Sequence, residues 1–219
     1  MTLFWVLIVA TLVVAALDWW AVANARVPVE YVAKPLTMAV LGAAALAMPD
    51  PVSATSRTWF VVAIALSLVG DVFLMLPDSD TNFIAGLGSF LLGHIAYIVG
   101  IWQTDQVTTG RVLIGAVLVL VGIASIGWRV VRGAFRHDRM LAAPVALYIG
   151  VISVMVASAV GTGRPVLIVG AVLFFVSDAC IGWSRFIGEF PGYRMAIITT
   201  YHLGQIGLLL GLLTHWTLS

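Results

Sequence analysis

Asp71 and Asp178 lie inside runs whose other residues belong in lipid: WFVVAIALSLVGDVFLML (59–76) and PVLIVGAVLFFVSDACIGW (165–183). A carboxylate at membrane depth is costly, so it normally faces a bundle interior or a wet cavity. Each has small neighbours, in SLVGD and FVSD, which let another helix or a substrate come close. Two carboxylates in one cavity cannot both ionise cheaply, so one would stand as acid and the other as base. That is the pairing that acid–base hydrolysis needs. The plainer reading is that each only accepts hydrogen bonds and locks helix packing.

Other polar residues can join them. His94, in FLLGHIAY, could transfer protons, bind metal or orient a carboxylate. Tyr201 and Gln205 are one turn apart and share a helix face, which leaves His202 the weaker candidate. His137 falls in a loop and His215 near a terminus. Lys34 is the single lysine among eleven basic residues and could neutralise a carboxylate or hold a phosphate. Asp18, beside Trp19 and Trp20, is either a packing group or a rim residue for substrate. A metal site needs three or four converging ligands. The expectation is no metal and no cofactor. Cys180 is the one cysteine, which excludes an internal disulfide framework.

The elements that must position these groups are membrane helices. Of 219 residues, 62% are hydrophobic and 10% charged, with a mean hydropathy of +1.09, so the bilayer is the natural solvent. A single integral membrane domain over 1–219 is expected, with the first apolar run retained as a helix. Net charge is +1, which gives no reason to expect nucleic acid. Spans of roughly 20 residues fall at about 3–23, 34–49, 58–76, 83–102, 111–131, 140–160, 165–184 and 194–216. Turn residues separate them: Pro28, MPDPVS, LPDSD, GTGRP and EFPGY. The fold class is all-α, a polytopic membrane helix bundle of eight transmembrane helices.

Basic residues orient the bundle. The ends joining spans 1–2, 3–4, 5–6 and 7–8 carry eight, among them Arg26, Lys34, Arg136 and Arg194; the opposite ends carry Arg57, Arg111 and Arg164. The richer side is expected in the cytoplasm, with both termini outside. At about 1.5 Å per residue, Asp71 and Asp178 then lie roughly 8 and 10 Å from the cytoplasmic ends of their helices. Tyr201 and Asp18 fit the same level, His94 and Gln205 lie deeper, and Lys34 and Asn82 open helices 2 and 4 at the rim. Asp71 to His94 and Asp178 to Tyr201 are the same distance along the chain, which leaves a 4+4 internal repeat open.

Four stretches, KPLTM (34–38), SLVGDVFLML (67–76), FIAGLGSFLLGHIAY (83–97) and LFFVSD (173–178), resemble the YhhN family of lysoplasmalogenase-like membrane hydrolases. The resemblance implies an eight-helix membrane enzyme that cleaves the vinyl ether bond of a lysoplasmalogen. The products would be a fatty aldehyde and glycerophosphoethanolamine or glycerophosphocholine. It places the family's polar residues on Lys34, Asp71, Asn82, His94 and Asp178. The expected assignment is catalysis by Asp71, Asp178, His94 and Tyr201, with Lys34, Asn82, Gln205 and Asp18 binding a lysophospholipid among membrane lipids. The Arg-over-Lys usage suggests a bacterial inner membrane. A hydrolase of another lysolipid, or a proton-coupled small-molecule transporter, remains the alternative.

Overall fold

A computed structural model describes residues 2–77 and 79–214. Within these residues eight rods run back and forth: α1 Thr2–Ala23, α2 Val27–Leu46, α3 Ala54–Met75, α4 Asp80–Trp102, α5 Thr109–His137, α6 Arg139–Thr162, α7 Pro165–Phe186 and α8 Tyr193–Leu210. Seven are long and apolar enough to cross a membrane; α8 is shorter and carries Tyr201, His202 and Gln205. It can be this polar because those three side chains are buried against its neighbours.

Neighbour packing runs from α1 through α2, α3, α4, α6, α7 and α8 back to α1, closing a ring; α5 stands outside against α6. The outward face of α5, with Leu113, Ile114, Val117, Leu118 and Val121, is exposed and wholly apolar, as a lipid-facing surface must be. Small residues draw the tightest pairs together. A Cβ on Gly204 would stand 2.7 Å from Phe174 N, and one on Gly207 2.9 Å from Gly170 Cα. Without a hydrophobic drive between helices in lipid, such close backbone approach is what holds them.

Three boundaries differ from the sequence reading. Helix α2 begins at Val27, with Pro28 in its first turn, so Lys34 sits two turns inside and Pro35 is an interior proline. Both prolines satisfy a helix start by their fixed φ, and the sequence pointed to the wrong one. The Arg-rich segment after 128 is not a loop but the last turns of α5, Trp128–His137, joined through a π-helical segment, Ile123–Gly127. The eighth helix ends at Leu210, four residues before the described chain stops at 214, because 211–214 turn out of the helix; His215 and the last expected position lie outside the described residues.

The end of the bundle away from the arginine-rich face is fastened by Arg164, which is 2% exposed. Its Nε donates to Gly211 O at 2.6 Å, one Nη to Gln106 Oε1 at 3.0 Å and the other to Leu213 O. Val52 N donates to Leu212 O nearby, at 2.9 Å. Arg164 is therefore a buried clasp, which leaves Arg57 and Arg111 on that face as the basic residues that could meet lipid head groups.

Candidate active site

The two aspartates are held in two separate sets. On α3, Asp71 is 1% exposed. Lys34 Nζ from α2 lies 3.1 Å from its Oδ1, and Tyr201 from α8 donates to its Oδ2 at 2.7 Å. On α7, Asp178 Oδ2 accepts the Tyr148 hydroxyl of α6 at 2.6 Å and lies 3.0 Å from His94 Nε2 of α4. The same nitrogen is 2.9 Å from the Tyr148 oxygen. His94 Nε2 is thus within hydrogen-bond reach of both oxygens, as donor or acceptor according to its tautomer.

A fully buried ring, Phe174, stands between the sets. His94, Tyr97, Tyr201 and Phe90 all pack edge-on against it, with centroids 4.7 to 6.4 Å away. Such edge-to-face contacts fix ring angles as well as exclude water. One apolar residue thus braces His94 of one set and Tyr201 of the other.

Two cavities adjoin these sets. A slender one of about 60 Å³ is lined by apolar side chains from α3 to α7, including Leu87, Val145 and Phe175; Asp178 and Tyr148 are its polar points. The π segment of α5 supplies Ile126 and Gly127 to its wall. A wide one of about 550 Å³ is lined by Glu30, Tyr31, Lys34, Ser184, Arg185, Glu189, Tyr193 and Arg194. Leu74, Phe83 and Ile181 belong to both walls. Asp71 lines neither and meets the wide cavity through Lys34.

The remaining expected residues fall outside these sets. Gln205 is buried and accepts from the Tyr97 hydroxyl. Asn82 is exposed and donates to Pro77 O at 2.8 Å, bracing the turn before α4. Asp18 is fully buried on α1, 4.0 Å from His202 Nε2, while Trp19 donates to His202 Nδ1 at 3.1 Å. Sequence reasoning missed Tyr148 and Tyr97. A lone tyrosine in an apolar helix reads as a belt residue, and only helix rotation tells it from a site residue. Among the described residues, no three His, Cys, Asp or Glu side chains gather to hold a metal.

A match to the YhhN family covers residues 29–212. The chain belongs to the YhhN family. The matched YhhN stretch contains every residue of both aspartate sets and leaves out Asp18. The chain is 38% identical to a lysoplasmalogenase of Mycobacterium tuberculosis over 173 residues, 78% of this chain and 65% of that protein. It is 28% identical to rat lysoplasmalogenase TMEM86B over 167 residues, 73% of this chain and 66% of that protein. It is 26% identical to the human protein of that name over 144 residues, or 66% and 58%. The chain thus spans between 58% and 66% of the length of these curated relatives. No solved structure matches the chain.

Proposed function

We propose that this YhhN protein is a membrane lysoplasmalogenase, a hydrolase of the vinyl ether bond of a lysophospholipid. One observation carries the reading: a slender apolar slot and a wide charged cavity share a wall beside two carboxylate sets. A single-chain amphiphile has that shape. The first carbons of its alkyl chain would enter the slot with the rest of the chain out in the acyl layer, its phosphate head among Lys34, Arg185 and Arg194, and its ether at the shared wall.

Vinyl ether hydrolysis starts with a proton on the β-carbon, which leaves an oxocarbenium ion. Asp178, the carboxyl group at the slot, is assigned as the acid, and its anion then faces the cation, as in glycosidases. Water adds to the cation, and its spare proton passes through Lys34, which lines the wide cavity, to Asp71, the base, held by Lys34 and Tyr201. The resulting hemiacetal collapses as its hydroxyl proton moves to the ether oxygen, giving a fatty aldehyde and the glycerophospho alcohol. A proton then leaves Asp71 by way of Lys34 to water in the wide cavity, and one from water passing the shared wall returns to Asp178, which restores both carboxyls. Tyr148 and His94 orient Asp178; Tyr201 orients Asp71.

The test is a product assay on detergent-purified protein with a panel of lysolipids. Aldehyde released from 1-alkenyl but not 1-acyl or 1-alkyl lysolipids is the expected result. Fatty acid from acyl substrates, or no product from any, would overturn it. The wide cavity is assigned to the cytoplasmic leaflet of a bacterial inner membrane, from the basic ends around it. Reporter fusions at Arg136 and at the C-terminus should then report opposite compartments.

A further inference from the structure

The wide cavity holds an unbalanced charge. Each cation in its wall already has a carboxylate: Lys34 has Asp71 at 3.1 Å, Arg185 has Asp80 at 2.8 Å and Arg194 has Glu30 at 2.6 Å. Glu189 does not follow this rule. Among the described residues it has no basic partner, and it accepts only the Tyr193 hydroxyl, at 2.7 Å. The tyrosine is neutral, so the carboxylate's charge is answered by nothing in the wall. Arginine carries five donors, so the Arg194 guanidinium, bridged to Glu30, can still meet a phosphate. The cavity therefore offers donors for an anion and one unmatched carboxylate for a cation.

The kind of cation is decided by the rings. A quaternary ammonium is recognised by open aromatic faces. A cage needs several such faces to converge; here the face of Phe83 is covered by Arg185, 5.1 Å from its centroid, Tyr193 packs edge-on to Phe190, and Tyr31 stands singly with its hydroxyl donating to Met75 O. A primary ammonium instead wants a carboxylate that can take charge-assisted hydrogen bonds. We propose that Glu189, steadied by Tyr193, binds the primary ammonium of a phosphoethanolamine head group and is the specificity-determining residue for head-group choice.

This rests on the hydrolase reading for its context, and the test separates the two. Binding is measured by calorimetry on the detergent-purified full chain with three saturated 1-O-alkyl lysolipids, which have no bond to cleave. Their head groups are phosphoethanolamine, phosphocholine and phosphate alone. Soluble glycerophosphoethanolamine is a fourth probe, separating head-group affinity from chain affinity. The ethanolamine lipid should bind about tenfold tighter than the choline lipid. Glu189→Gln should bring that ratio to about one, and Glu189→Lys should turn preference to the phosphate-only lipid. Glu189 is exposed in the turn between α7 and α8, so both variants are expected to fold. An ethanolamine-to-choline ratio near one in the parent, or one that survives Glu189→Gln, overturns the assignment. Turnover of the 1-alkenyl counterparts is read in parallel. Its absence with head-group selection intact sinks the hydrolase reading alone.

Discussion

The surroundings of Asp71 and Asp178 share a plan and differ in content. Each aspartate sits on the third helix of its half of the chain. Each is met by a residue from the second helix of its own half, Lys34 or Tyr148, and by one from the fourth helix of the other half, Tyr201 or His94. The two aspartates are 107 positions apart, and so are His94 and Tyr201. The pairing is thus crossed between halves, which is what a 4+4 repeat would look like after its copies diverged. The contents diverge by medium. The Asp71 set carries the formal cation and backs the wide charged cavity; the Asp178 set has a phenol and an imidazole and opens on the apolar slot. A shared frame with unlike donors suits two unlike jobs.

The sharpest way to break this comparison is to neutralise each centre. Asp178→Asn and Asp71→Asn are each expected to lower kcat by about 10²–10⁴, the usual worth of an acid or base. If either keeps near-parent turnover in the lipid assay, the division of labour is wrong. Lys34→Met comes next. It leaves a buried carboxylate without its cation, which destabilises by about 3–5 kcal/mol, and on the proposed reading it also removes a phosphate contact, so KM should rise more than kcat falls. Thermal melts provide the check: adding Asp71→Asn to Lys34→Met should recover most of the lost stability. A double variant as unstable as the single one would mean that Lys34 does not stabilise the fold through Asp71.

Smaller effects separate the orienting phenols. Tyr148→Phe removes the proton donated to Asp178, and about tenfold lower kcat with little change in KM is expected. Tyr201→Phe should do the same at Asp71, and the double variant should lose little more than the slower single variant if the sets act at separate steps, whereas losses that multiply would place both at one step. Asp18→Asn is expected to cost the least, under about tenfold, because Asp18 touches neither set. An equal loss at Asp18 and Asp178 would erase the distinction between the site and its surroundings.

Much of this was legible in the sequence. The eight rods are foreshadowed by apolar runs between proline- and glycine-rich turns. The aspartates, His94 and Tyr201 stand out by polarity at membrane depth. What stayed hidden depends on rotation about helix axes and on which helices adjoin. Lys34 looked like a rim residue because Pro35 mimicked a helix start, whereas α2 begins seven residues earlier. Tyr148 gave no signal in ALYIG. Asp18 and His202 stood 184 positions apart with nothing to announce their closeness. The π segment of α5 is composed like any apolar helix, and it changes register only where packing demands it.

The wall shared by the two cavities, Leu74, Phe83 and Ile181, bears on the fate of the products. A cut at that wall leaves an oily fragment on one side and a water-loving one on the other. Each would have its own doorway, the first into the acyl layer, the second into the aqueous compartment, so neither need wait for the other. Added aldehyde and added glycerophospho alcohol would then inhibit independently, both able to occupy one molecule at once. Such a protein sorts its products by solubility as it makes them.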